Sequence, residues 1–373
     1  MDIAHASPRL RGRRLGRAAG FVVGVATALV LIAAPARAQA SPDRELQFFR
    51  IGTGPTTGIY FPVGALIASV VSNPPGSRPC ERGGSCGVPN LIAVAQATQD
   101  SVARLRDIAG RRIDSGLVQA DVAYLAYQGK GPFARQKLGN LRAIARLYPE
   151  YLHVVVRADS AIRSFSGLKG KRVGLDLDGS GTRVMAQAVM PQLGIRLNEF
   201  TAQSVAVSVA ADMIRARRLD AFAFSSGIPA EAVQRLADET SIALLPISPA
   251  VAARVAKSTR GLFPAAFAAG VYKGVPATPT VITEALWLVP AETNADLVYG
   301  LTRALWNPNN RRLLDSGHPQ GRAMRVEQAL DGLTIPLHPG AERYYREIGY
   351  AIPPSAEPSP RAASQPSGGK PGR

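Results

Sequence analysis

Histidine and cysteine are scarce in this chain, four and two among 373 residues. The histidines are scattered and the cysteines stand alone as a pair, so no cluster has the spacing of a metal site, and none is expected. After residue 40 no run is long and apolar enough to cross a bilayer. Basic side chains outnumber acidic ones, 44 to 27, yet they never gather into a block interleaved with aromatics. That leaves nucleic-acid binding without its usual footprint, whereas a solvated basic surface that attracts small anions accounts for the same charge. Neither His153 nor His338 is spaced to pair with a nucleophile, and the acids lack an obvious acid/base partner. No catalytic residue is assigned, and no cofactor is expected. No repeat of fixed short period is present.

What is there begins with the first forty residues. Arg9, Arg11, Arg13, Arg14 and Arg17 precede AAGFVVGVATALVLIAAP, which is followed by ARAQA. A basic start, an apolar core and small residues at A-x-A spacing read as an export signal over 1–40, cleaved near Ala38 or Ala40, which places the mature protein in the periplasm. The alternative is an uncleaved N-terminal anchor. In an exported chain Cys80 and Cys86, within RPCERGGSC, are expected to form a disulfide that pins a surface loop. The tail over 353–373 is rich in Pro, Ser and Gly and is expected to be disordered.

Between 46 and 350 short apolar runs alternate with segments of helical period. LQFFRIG, NLIAVAQAT and SGLVQ read as strands, each followed by a helix: FPVGALIASVV, SVARLRDIAG and ADVAYLAYQG. A second series starts near YLHVVVRAD and runs through KRVGLDL, LDAFAFSSG and IALLPI with helices between. The alternation predicts an α/β fold with a largely parallel sheet. YLHVVVRAD and TVITEALWLVPA bracket the second series and read as strands crossing between two lobes. The expected division is lobe 1 over 41–152, lobe 2 over 153–277, and a return to lobe 1 over 278–352.

Several turns carry residue types suited to chemistry. The glycines at 52, 54 and 58 in IGTGPTTGIYFPVG follow a strand and approach a dinucleotide turn, but the acidic residue wanted about 20 positions on is missing. Either this is only a tight strand-to-helix turn, or its amides and the hydroxyls of Thr56, Thr57 and Tyr60 line a pocket. GGSCG at 83–87 fits G-x-S-x-G, yet NPPGSRPCER cannot supply the strand that a nucleophile elbow needs before Ser85. DLDGSG begins like a calcium loop, but its twelfth position is Gln187 where a bidentate glutamate is required. The same residues read better as a bend opening a helix, with Asp178, Gly179, Ser180, Gly181 and Thr182 offering amides and hydroxyls to an anion or, more simply, an N-cap. TQDSVARL, VQADVAY and SSGIPAEA repeat that arrangement. Turns of this kind beyond the carboxyl ends of strands in both lobes point to a small polar ligand between them.

These segments, with LRAIARLYPEYLHVVVRADSAIRSFSGLKGKRVGLDLDGSGTRVMA and LTIPLHPGAERYYRE, resemble in order and spacing the TAXI family of extracytoplasmic solute receptors, which serve tripartite ATP-independent periplasmic (TRAP) transporters. The resemblance implies a two-lobed periplasmic-binding-protein fold (type II-like) with a ligand cleft between the lobes. It implies as partners a small solute (an amino acid, dicarboxylate or oxoacid) and the TRAP permease subunits in the membrane. Carried onto this chain, the ligand-lining positions are Gly54, Thr57, Gly58, Tyr60, Thr98, Ser101, Gln119, Ser180, Gly181, Thr182 and Gly227. Two features depart from the family. Its glycine–serine turn is Asp100–Ser101 here, and the asparagine three residues later is Arg104, charges that bear on which anion is accepted. The loop with Cys80 and Cys86 is an insertion placed outside the cleft. Rival readings are an exported α/β hydrolase using Ser85 or a cleft serine, and a sensing module that reports to a membrane receptor.

Overall fold

A computed structural model describes residues 45–352. The expected export signal and the C-terminal tail lie outside the described residues. The chain runs β1 (Gln47–Gly54), α1 (Tyr60–Val71), the two-residue strands β2 (Ser72–Asn73) and β3 (Val88–Pro89), β4 (Leu91–Ala97), α2 (Ser101–Ala109), β5 (Ser115–Gln119) and α3 (Ala120–Gln128). β6 (Leu141–Arg157) then leads into β7 (Arg172–Gly174), α4 (Gly181–Val189), β8 (Thr201–Gln203), α5 (Val207–Arg215), β9 (Ala221–Ser226), α6 (Glu231–Glu239), β10 (Ile242–Leu244), α7 (Pro249–Ser258) and β11 (Phe263–Phe267). β12 (Thr278–Pro290) returns, followed by α8 (Ala295–Leu305), α9 (Arg311–Gly317), α10 (Pro319–Ala323) and α11 (Pro339–Glu347). No helix among the described residues is long and apolar enough to cross a membrane.

The strands form one sheet in the order β3-β2-β4-β1-β5-β12-β6-β9-β7-β8, with β10 beside β6 and β11 beside β12. β1 pairs in parallel with β4 and β5, and β7 with β8 and β9. Apart from the two-residue β2, antiparallel to β4, the sheet is thus parallel on either side of its middle, as the alternating pattern predicts. Its middle is not: β6 and β12 are antiparallel to each other and to their neighbours β5 and β9. These two strands, 17 and 13 residues long, are the predicted crossing segments. β6 starts ten residues before YLHVVVRAD, because LRAIARLYPE continues the same pairing with β12.

The buried side chains gather into three cores. Leu141–Tyr148 of β6 and Ala285–Val289 of β12 contribute to one apolar core with Phe49, Ile67, Leu117 and Tyr345. Farther along β6, Leu152, Val154 and Val156 enter a second core with Val173 and Met185, while Val155 enters a third with Phe222 and Leu236. The alternation follows from the two-residue period of a strand, which sends neighbours to opposite faces, so this part of the sheet is covered by helices on both sides. Where the strands pass each other, Arg146 Nε donates to Glu284 at 2.7 Å, with both side chains essentially inaccessible. Cys80 and Cys86 are joined in a disulfide, Cα atoms 4.7 Å apart, as their spacing predicts.

Candidate functional site

Four strand-to-helix turns meet around one cavity. The turn after β1 brings Gly54, Thr57, Gly58 and Tyr60. The turn after β4 brings Asp100 and Ser101, and the end of β5 brings Gln119. The turn before α4 brings Asp176, Ser180, Gly181 and Thr182. Glu150 from β6, Phe224 and Ser225 from β9, and Ala206 and Val207 at the start of α5 line the wall with Arg104. The cavity encloses about 100 Å³. With roughly 10–15 Å³ needed to hold one water, that leaves room for a solute of several heavy atoms. An adjoining hollow shares Thr57, Gly58, Ile59, Val207 and Phe224 with it, and Thr56 faces that hollow.

Local chemistry places each turn. Asp100 caps α2, accepting from the Ala103 amide at 2.7 Å, and Ser180 caps α4, accepting from Arg183 N–H at 3.2 Å; short polar side chains at a helix start satisfy amides that the helix itself cannot. Thr182 Oγ1 accepts from the Ser225 amide at 3.1 Å, tying the first turn of α4 to β9. Gly54 has φ of 86° and lies so close to the Arg104 guanidinium that an added Cβ would sit 2.8 Å from it, so both backbone and space require glycine. Turns from opposite sides of the long strands touch directly: the Val102 amide donates to the Gly179 carbonyl at 3.3 Å, and Gln119 Nε2 donates to Ser225 Oγ at 2.8 Å.

Thr98 and Gly227 stand outside the cavity. Thr98 acts one step back, its Oγ1 accepting from the Gly54 amide at 3.0 Å and from Arg104 at 3.2 Å. Gly227 packs against the Gln320 side chain of α10, where a Cβ would meet it at 2.5 Å. Ser85 donates to the Ser72 carbonyl at 2.5 Å and accepts from the Gly87 amide, in a loop rather than an elbow. His153 is enclosed by the Tyr151 and Phe224 carbonyls and the Tyr272 hydroxyl. Asp178, expected at the bend, turns outward to Arg183.

The charged groups of the cavity are Arg104, Asp100, Glu150 and Asp176, so Arg104 is its one cation among the described residues. Arg104 is 2% exposed. Its guanidinium reaches Thr98 and Ser101 hydroxyls at 3.2 and 3.1 Å and lies 5.3 Å from the centre of the Tyr60 ring. Burial lowers its pKa, and Tyr60, Asp100 and Glu150 oppose that shift; an arginine nevertheless stays protonated at any working pH. Burial pushes the Glu150 carboxyl up to about 8, against the Gln119 hydrogen bond at 2.7 Å and the nearby Tyr60 hydroxyl. Tyr60 lies beside Glu150 without a well-aligned hydrogen bond. Burial also raises Asp176, opposed by Leu177, Ser180 and Thr182. An isolated buried carboxylate is costly, so a neutral acid is the cheaper form.

Glu150 and Phe224, which lie in none of the turns singled out by sequence, also line the cavity, whereas Asp176 and Ser225 open the DLDGSG and SSGIPAEA turns. Glu150 had a signal: an acid inside the apolar LRAIARLYPEYLHVVV, where burial is the default.

The chain belongs to the NMT1-like family, whose model matches residues 51–349. Among solved structures it is similar to the alkanesulfonate-binding protein SsuA from Xanthomonas axonopodis pv. citri bound to MOPS, at 15% identity over 83% of this chain and 85% of that one, TM-score 0.44. It is similar also to PhnD1 from Prochlorococcus marinus (MIT 9301) in complex with methylphosphonate, at 12% identity over 82% and 99%, TM-score 0.47. A TctC solute binding protein from Polaromonas without ligand matches at 15% identity over 81% and 97%, TM-score 0.45.

Proposed function

We propose that the protein is an exported, periplasmic solute receptor of the TAXI type that captures a small polar or anionic solute between two lobes and delivers it to a TRAP permease. The observation that carries this reading is the meeting of turns from both ends of the sheet around one small cavity lined by buried hydroxyls, amides and a single arginine. The lobes divide where β6 and β12 pass between the cores, near Tyr148–Leu152 and Val281–Ala285, and those two strands flex as the hinge. The proposed ligand positions are those expected from the sequence that line the cavity, joined by Arg104, Glu150, Asp176 and Ser225. Closure then follows from differential affinity: the shut form offers the solute both walls, the open form one.

A thermal-shift screen of amino acids, dicarboxylates, hydroxy acids and oxoacids tests the reading. A ligand at a hundredfold excess over its dissociation constant stabilises the fold by about 2.7 kcal/mol, a shift of a few degrees for a chain of this size. A screen in which every such compound leaves the melting temperature unchanged would count against a receptor for small polar solutes.

A further inference from the structure

Arg104 is a buried cation with no carboxylate of the protein in ion-pairing distance among the described residues. Its fork rests on two neutral hydroxyls and an aromatic ring, and its Nε–H is buried without a hydrogen-bond partner. Buried charges are ordinarily paired, so the geometry leaves an anionic group as the missing counterpart. The rest of the wall has the opposite character, since every other charged lining residue, Asp100, Glu150 and Asp176, is an acid. A second anionic group on the solute would therefore be desolvated with no second cation in the lining to pair it. Gln119 Oε1 is a buried acceptor without a donor, which suits a hydroxyl or ammonium on the solute.

We infer that Arg104 determines specificity by charge: the cavity takes a small acid with one anionic group, held on the Arg104 guanidinium, and a hydrogen-bond donor for Gln119 Oε1, and it discriminates against the corresponding dicarboxylate. The inference rests on the solute-receptor reading and narrows it to hydroxy or amino acids with a single acid group.

Calorimetry with two matched pairs tests it, lactate against malate and alanine against aspartate, each pair differing by one carboxylate. The member with one acid group that the cavity prefers, lactate or alanine, binds at least tenfold more tightly than its partner, and which of the two binds separates a hydroxyl donor from an ammonium donor. Arg104→Gln loses at least tenfold in affinity for that solute, while Arg104→Lys, which keeps the charge but not the fork, falls between. Circular dichroism and melting without solute show whether each variant folds. Equal or tighter binding of malate or aspartate overturns the inference, as does undiminished binding by a folded Arg104→Gln. If none of the four binds while another class stabilises the protein in the wider screen, the inference fails and the receptor reading stands. If the wider screen is blank as well, both fail.

Discussion

Glu150 sits fully buried at the back of the cavity with its carboxyl pushed up to about 8 from an ordinary 4.5. Between those values the folded protein holds a proton that the unfolded chain has released, so stability declines as pH rises through that window. Asp121, buried and pushed up to about 7, acts in the same direction. The ion-paired Asp159, lowered to about 2, acts only in more acid solution. Glu150→Gln keeps an acceptor for Gln119 and removes the titration. Melting followed from pH 5 to 8.5 without solute should show a shallower decline for the variant, with its largest relative gain near pH 8. Parallel curves for variant and parent would show that Glu150 does not titrate in this way. At this scale the sequence made the turn residues legible, because glycines, serines and threonines at strand ends announce themselves by type. That Glu150 and Phe224 face the cavity was hidden because they sit within strands, where only pairing and register decide which side chains reach it. Thr98 and Gly227 show the converse: the right residue types in the right turns, one placed behind the wall and the other against α10.

Between elements, the contact of α4 with the end of β5 has the clearest consequence. A Cβ on Gly181 would fall 1.5 Å from Gln119 Oε1. Gln119 can swing aside only by giving up its hydrogen bonds to Glu150 and Ser225, each worth about 0.5–1.5 kcal/mol. Gly181→Ala should therefore lower the melting temperature of the empty protein, by the loss of those bonds, and weaken solute binding by about tenfold, near 1.4 kcal/mol. Adding Gln119→Ala should leave no further penalty from the clash, which a double-mutant cycle would reveal as coupling between the two positions. Additive losses would mean that the two turns do not meet in the bound form. Element identity was largely legible from periodicity: β1, α1, β4, α2, β5 and α3 fall within a residue or two of their apolar patterns. The antiparallel middle of the sheet was not, because a strand buried on both faces reads as a continuous apolar run whatever its direction. Pro149 and Glu150 interrupt that run in β6, which hid its first ten residues.

For the molecule as a whole, the α/β class follows from one arrangement, stretches of parallel sheet joined by a pair of long antiparallel strands, and the proposed lobes lie to either side of that pair. The sequence carried this as two series of alternating strands and helices bracketed by apolar crossings. It did not carry the cavity's charge balance, which depends on Arg104, Glu150 and Asp176 converging from separate elements. Hydrogen exchange with and without a bound small acid tests the central claim most directly. Addition of the ligand should slow exchange together at 54–60, 98–104 and 176–182, segments far apart in the chain. Protection confined to one of these segments, or appearing only around Gly227 and α6, would contradict it.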